Sequence, residues 1–396
     1  MAETIAETRP ETFGRTLLAR FALDADATFL NNGSYGAPPL VVLAAQASWR
    51  ARMEAQPVAF FHEVYPPALA AAKARLGAFL GATATDLAFV ENATAGANAV
   101  LRSLRFAAGD EIVTTMHCYG AVRQTLRHVA ASSGAVVTEA PTPWPARDAG
   151  AVAEAVIAAL GPRTRLLVID HLASPSAMVF PLAPIIAAAR ARGIRVLVDG
   201  AHAPGQLALD VPAIGADWYL GNAHKWLFAP KGCGFLWAAR DARDGLHPPV
   251  ISHGYGAGFP GEFDWIGTRD PSAWLAEGEG IAFLESLGVE RVRARNHALA
   301  VEAGAMLAAA WGTETGAAPA LFGAMATVRV PGGQAATHDG ALALRRRLWA
   351  ERRIEVPVMP FAGALWIRVS AQVFNETADY ERLAGALPAI AEDDGS

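Results

Sequence analysis

A lysine and an aspartate define the chemistry open to this chain. Lys225 stands in Gly221-Asn-Ala-His-Lys-Trp226, downstream of Ile194-Arg-Val-Leu-Val-Asp-Gly200. That upstream stretch is a mostly apolar run, short enough for a buried strand and closed by the carboxylate of Asp199. A primary amine facing a carboxylate suits covalent cofactor chemistry, in which the amine captures a carbonyl carbon and the carboxylate steadies a cationic ring. Taken by themselves, the two residues read as a salt bridge or as two solvated charges.

The elements around them favour a ligand. Asp199 falls at the carboxyl end of its strand, the rim where open α/β sheets bind ligands. A second strand-like run, Ala216 to Leu220, opens into the Asn222 to Lys225 loop, so both polar groups converge on one rim. Leu87 to Val90 reads as a third strand, followed by the small-residue turn Glu91-Asn-Ala-Thr-Ala-Gly-Ala-Asn98 and an apolar helix start. Strand, small turn and helix start in that order make an anion site, where amides at Ala93 and Thr94 and the Thr94 hydroxyl face a phosphate. The alternative is that Thr94 only caps the helix. No GxxxxGK[ST] phosphate loop occurs, and no GxGxxG leads from a strand-like run into a helix. With pyridoxal phosphate as ligand, Asp199 would keep the pyridine nitrogen protonated as an electron sink, and Lys225 would carry the aldehyde as a Schiff base.

Further strand candidates are Glu111 to Thr115, Ala135 to Glu139, Thr164 to Asp170 and Gly234 to Trp237, with helices at Val152 to Leu160 and Leu182 to Arg192. Their alternation predicts an α/β fold with a mainly parallel, doubly wound sheet. The Gly/Pro-rich stretch His247 to Pro271 reads as a long functional loop, and Trp274 to Leu287 as a helix. The expected division is a large domain over 28–275 and a smaller α+β C-terminal domain over 276–396, with 1–27 packing on the latter.

Several motifs together resemble one family: Phe29-Leu-Asn-Asn-Gly-Ser-Tyr-Gly-Ala-Pro38, Asn92-Ala-Thr-Ala-Gly96, His117-Cys-Tyr-Gly-Ala121, Asp170-His-Leu-Ala-Ser-Pro-Ser176, Val198-Asp-Gly-Ala-His202, Gly221 to Trp226, Trp265-Ile-Gly-Thr-Arg-Asp270 and Trp366-Ile-Arg-Val-Ser370. From about Phe29 to Leu383 the chain resembles the class V aminotransferases, fold-type I pyridoxal-phosphate enzymes, and within them the isopenicillin N epimerase-like subgroup. That subgroup also holds carbon–sulfur lyases, such as those of ergothioneine formation.

The resemblance implies pyridoxal 5'-phosphate as cofactor, no metal, and a set of roles. Lys225 matches the Schiff-base lysine, which then serves as base and acid at the substrate α-carbon. Asp199 matches the pyridinium partner and His202 a side chain that hydrogen-bonds the ring hydroxyl. Asn222 and His224 match phosphate ligands beside Ala93 and Thr94. Thr268 matches a residue that reaches the phosphate of the neighbouring subunit, which makes a homodimer the expected state. His117 matches the ring stacked over the cofactor, with Tyr119 as its rival, and Ser174 or Ser176 falls near the phenolic oxygen. Arg368 matches the clamp of the substrate α-carboxylate, a task for its planar two-pronged donor. Its setting alternates like an exposed strand, which leaves a solvated arginine as the other reading. Asn31, Asn32, Tyr35, the Pro57 to Tyr65 segment and Tyr255 are the candidates for substrate selectivity.

The family mechanism removes an α-proton toward Lys225. Return of a proton on the opposite face gives epimerisation, expulsion of a β-thiolate gives carbon–sulfur cleavage, and protonation at the cofactor carbon gives transamination. The first is expected here. Epimerisation needs a second proton donor, for which His117, Tyr119 and Tyr255 are candidates. Cysteine desulfurases carry a mobile cysteine in the C-terminal portion, and here no cysteine follows Cys233, while Cys118 and Cys233 read as small buried residues. A cofactor-fold binding protein without turnover is the remaining alternative, disfavoured by the intact Lys225, Asp199, His224 and Arg368.

Composition agrees with a soluble enzyme, and the resemblance implies a small amino-acid substrate. The chain has 396 residues, 53% of them hydrophobic and 18% charged, enough for a large core. A net charge of −5 argues against a nucleic-acid surface. The clusters Arg291, Arg293, Arg295 and Arg345, Arg346, Arg347 read as solvated helix faces. Residues Met1 to Pro10 lack signal-peptide regions, no apolar run reaches membrane-spanning length, and two cysteines make no disulfide framework, so a cytoplasmic location is expected.

Overall fold

Strand and helix alternate from residue 87 to 238 and wind one seven-stranded sheet in the computed structural model, which describes residues 12–332 and 335–393. From edge to edge the order is Leu87–Val90, Gly234–Ala238, Trp218–Asn222, Arg195–Gly200, Thr164–Asp170, Glu111–Thr115 and Val136–Ala140. Neighbours pair in parallel except around Gly234–Ala238, which is antiparallel to both of its partners. Every residue of Trp218–Asn222 and of Gly234–Ala238 is buried. Covered on both faces, such strands need continuous apolar runs rather than alternation.

The register decides what the sheet offers a ligand. Asp170 lies opposite Asp199, and Gly200 opposite Gly221. The carboxyl edge therefore carries Asp170, Asp199 and Asn222 on three adjacent strands.

Beyond this sheet, Met325–Arg329, Ala364–Ser370 and Val358–Phe361 form a three-stranded antiparallel sheet with Ala364–Ser370 in the middle. The N-terminal segment, of which residues 1–11 lie outside the described part, reaches the same region. Thr28–Phe29 pairs in parallel with Ile354–Glu355, the Gly14 amide donates to the Val373 carbonyl at 2.9 Å, and Phe21 packs edge-on against Phe374.

Several expectations change. The single helix expected over Trp274 to Leu287 is two, Ser272–Leu275 and Glu277–Ser286, separated by Ala276 at φ −94° and ψ 0°. The arginines at 291–295 are only partly a solvated face: Arg291 is exposed over the Phe13 ring, whereas Arg295 donates to the carbonyls of Gln372 and Asn375 and Arg293 pairs with Glu290. The second cluster does face outward, with Arg345 and Arg346 exposed, Arg345 paired with Glu355 and Arg347 with Glu351.

The break at Ala276 turns Glu277 inward, fully buried, with neither carboxylate oxygen hydrogen-bonded. Burial pushes its pKa up from 4.5 to about 8. An acid held above its unfolded value keeps its proton more tightly when folded. Its stabilising contribution is complete below the unfolded pKa and is lost as pH rises through about 8. Glu277→Gln is therefore expected to remove roughly 3–5 kcal/mol of pH-dependent stability loss between acidic and mildly alkaline buffer. Urea unfolding of parent and variant at pH values below and above that window checks this. Parallel losses in both proteins would mean Glu277 is already ionised in the fold.

Candidate active site

The turn that carries Lys225 is a single helical turn, Ala223–Trp226, rather than the loop expected from sequence. It is held from below: the amides of Ala223 and His224 and the His224 Nδ1 all donate to the Cys233 carbonyl, at 3.0, 3.1 and 3.0 Å. From above, the segment Asn32–Tyr35 lies against it. Gly36 there has φ +70°, and a Cβ on it would stand 1.9 Å from the His224 carbonyl oxygen, so only glycine permits this approach. Asn32 is wholly buried and its Nδ2 donates to the Lys225 carbonyl at 3.1 Å. This corrects its expected role: Asn32 positions the lysine turn and does not face the substrate space.

A cavity of about 270 Å³ opens over the carboxyl edge of the large sheet, lined among others by Asp170, Asp199, His202, Asn222, His224 and Lys225. Tyr119, Ser174, Ala93, Thr94, Ser34, Tyr35 and Lys231 complete much of its wall. The sheet register explains why residues so far apart in sequence meet. Asn222, the last strand residue, accepts from the Ala93 amide at 2.8 Å and so ties the lysine strand to the start of helix Ala93–Ser103. Asn92 Oδ1 caps that helix by accepting from the Ala95 amide, which leaves the Thr94 amide and hydroxyl beside the cavity.

Electrostatics set each group's state. Lys225 Nζ lies 3.0 Å from His202 Nε2, and the Trp226 indole donates to His202 Nδ1 at 3.5 Å. With Nδ1 accepting, Nε2 carries the proton and donates to an uncharged lysine amine. Burial, and then the charge of Arg368, push Lys225 down to about 7, and Asp199 partly opposes them. His202 is held well below the usual range by burial and then by Lys225, and stays neutral. The two strand-end carboxyls differ: burial and then the neighbouring charge of Asp199 push Asp170 well above the carboxylate range. Asp199 is raised by burial but eased by the Ala201 amide at 3.0 Å and by Lys225. A neutral Asp170 next to an ionised Asp199 is the arrangement we adopt, because two such close carboxylates do not both ionise.

Arg368 is 3% exposed, in the central strand of the small sheet. The exposed-strand reading is thus corrected. Its guanidinium donates to the Ser174 carbonyl at 2.6 Å and hydroxyl at 3.0 Å, and to Ser34 at 3.4 Å, while Nε has no partner. A buried guanidinium with an unmatched donor suits a carboxylate ligand.

Other assignments move. His117 is 0% exposed, bonded through Nδ1 to Ser176 at 2.8 Å and caged by Trp144, Phe180 and Phe361. It does not line the cavity, and burial holds it down to about 3. Tyr119 lines the cavity in its place, at the start of helix Gly120–Ser133. Of the two serines, Ser174 faces the site and Ser176 serves His117. Tyr255 is 66% exposed against His247 and lies outside the cavity wall, as does the Pro57 to Tyr65 segment. Thr268 is exposed and absent from the cavity wall, just ahead of Arg269, paired with Glu91, and Asp270, paired with Arg50.

Among the lining residues to which the sequence assigned no role are Asp170 and Lys231. Asp170 ends a strand just as Asp199 does, and that shared pattern was its available signal. Lys231, in a turn after Pro230, carried none.

The donor set fits pyridoxal phosphate: a depressed buried amine, a buried carboxylate on the same edge, a helix start with Thr94 beside the cavity, and an arginine for an amino acid's carboxylate. Comparison with known proteins agrees. The model of the class-V aminotransferase family matches residues 29–351. A putative L-cysteine desulfhydrase of Oryza sativa subsp. japonica is 36% identical over 406 residues, covering 93% of this chain and 84% of the relative. Isopenicillin N epimerase of Amycolatopsis lactamdurans is 38% identical over 391 residues, covering 94% and 97%. The solved structure of the cystine C–S lyase C-DES with its product cysteine persulfide shares the fold at a TM-score of 0.78 and 23% identity, over 92% of this chain and 97% of that one. The chain belongs to the class-V aminotransferase family, enzymes of the fold-type I, pyridoxal-phosphate-dependent kind.

Proposed function

We propose that this enzyme epimerises an amino-acid substrate in the manner of isopenicillin N epimerase, with Lys225 taking the α-proton and Tyr119 returning one from the other side. The observation that carries it is that two proton carriers on separate elements, the Lys225 amine and the Tyr119 phenol, line one cavity with Ser174, which holds Arg368. Bound pyridoxal phosphate supplies the electron sink for the α-carbon. Arg368 holds the substrate carboxylate, Asp199 keeps a negative charge at the sheet edge, and His202 steadies the uncharged Lys225 amine. Lys225 ends the half-reaction protonated and Tyr119 deprotonated, and exchange with water restores both. Thr268 is assigned to the neighbouring subunit's phosphate, which makes the active enzyme a homodimer. We also divide the chain near residue 275 into large and small domains and place it in the cytoplasm, in keeping with two buried free thiols.

A second reading, β-elimination of a thiol from cysteine or a cysteine conjugate, is favoured by the likeness to L-cysteine desulfhydrases and needs only Lys225 as base. Burial pushes the thiols of Cys118 and Cys233 up, so neither suits a sulfur acceptor. Incubation with amino acids and cysteine conjugates in D2O separates the two. Inverted, α-deuterated substrate supports epimerisation, and Tyr119→Phe should then slow inversion roughly 10²-fold while leaving deuterium exchange with retention. Pyruvate with released sulfide supports elimination, and a Tyr119→Phe variant that inverts at the parent rate removes Tyr119 from the role. Absence of exchange with every substrate sinks both readings.

A further inference from the structure

We propose that Lys231 is a ligand of the cofactor phosphate and supplies the one full positive charge at that end of the cavity. The inference rests on pyridoxal-phosphate dependence and adds a residue to it. The strand order lays the wall out along the sheet edge: Asp170, Asp199 and the Ser174 that anchors Arg368 belong to the strands Thr164–Asp170 and Arg195–Gly200 or the turn after them, whereas the Asn92 to Thr94 turn, His224 and Lys231 adjoin the strands Leu87–Val90, Trp218–Asn222 and Gly234–Ala238 on the other side. A phosphate carries about −1.5 to −2 charges near neutrality. Against these, the helix start offers roughly half a positive charge. Its first amides are already engaged, Ala93 by Asn222 and Ala95 by Asn92. His224 is held down to about 4, chiefly by burial, and is neutral near pH 7. Glu91, on the same wall, would repel a phosphate, but Arg269 neutralises it at 2.5 Å and is itself seated 3.7 Å over the Trp274 ring.

Lys231 is the remaining cation on that part of the wall; partial burial lowers its pKa, and no carboxylate of the described residues pairs with it. Its backbone is well anchored. The Trp274 indole donates to the Gly232 carbonyl at 3.0 Å, and the next carbonyl, of Cys233, binds the lysine turn. Gly232 has φ +88°, which bends the chain so that residue 231 stands at the cavity rim. A fixed backbone with a flexible ammonium stem lets the charge close on a ligand, whose negative charge would offset the partial burial that lowers the Lys231 pKa.

The test titrates apoprotein with pyridoxal 5'-phosphate and, separately, with pyridoxal, following the visible absorbance of bound ligand. Lys231→Met should weaken pyridoxal phosphate binding roughly 10- to 100-fold, the range for one hydrogen bond to a charged group. It should leave pyridoxal affinity at the parent value, and Lys231→Arg should recover most of the loss. Unchanged pyridoxal phosphate affinity in Lys231→Met overturns the proposal, and so does an equal loss for pyridoxal, which marks a structural role. A parent protein that binds neither ligand would instead overturn the cofactor assignment.

Discussion

Lys225→Ala should lower α-proton exchange with any accepted substrate by roughly 10³-fold or more, the scale of a lost general base. The loss would belong to proton transfer and to covalent capture, because the proposed mechanism gives the amine both tasks. Its surroundings say at what pH. Burial and Arg368 bring the amine to about 7, so the fraction able to attack a carbonyl rises through neutrality. The rate at which apoprotein captures pyridoxal phosphate should therefore increase with pH, with its midpoint near that value. Arg368→Gln removes a neighbouring positive charge that depresses Lys225, and the midpoint should move to higher pH. A capture rate independent of pH between acidic and alkaline buffer would show that the amine is not the titrating group. An unchanged midpoint in Arg368→Gln would show that the guanidinium does not act on it electrostatically.

Asp199→Asn is expected to cost roughly 10²- to 10³-fold in turnover, the scale for losing one preorganised electrostatic partner in a buried site. Substrate affinity should change little, since the proposed contact of the substrate carboxylate is Arg368, not Asp199. The neighbouring carboxyl provides the control. Asp170 is opposite Asp199 across the two strands and is held neutral by burial and by that neighbour's charge. An uncharged acid replaced by an uncharged amide changes little electrostatically, so Asp170→Asn should stay within about tenfold of the parent. Steady-state kinetics on both variants, with folding verified by thermal melts, checks the pair. Equal losses would mean that the charge is shared between the two carboxyls or resides on Asp170.

How much of this was readable before folding depends on how local each signal is. The strand ending in Asp199, the Leu87–Val90 strand with its helix start at Ala93, and the Lys225 turn were legible, because an apolar run followed by a polar or small-residue turn is encoded within about ten residues. Strand ends were displaced by a residue or two, as at Trp218–Asn222, where the last paired residue is the Asn222 that holds helix Ala93–Ser103. His117 and Tyr119 were not separable. They lie between a strand and a helix in irregular backbone, where no period assigns a face, and only packing by Trp144, Phe180 and Phe361 shows which one is buried.

The same limit governs Arg368, Asp170 and Glu277. Alternating residues around Arg368 suited an exposed strand, yet that strand is the centre of its sheet, and the guanidinium is held by Ser174 from nearly two hundred residues away. From sequence alone came the family, the cofactor, the parallel sheet and the lysine–aspartate pair, all of which rest on short-range pattern and residue chemistry. Tertiary structure alone decided which of two rings faces the cavity, which of two strand-end carboxyls is pushed further toward its neutral form, and which lysine besides Lys225 lines the cavity. Those are questions of burial and of the distance between charges, and both are set by contacts between segments remote in the chain.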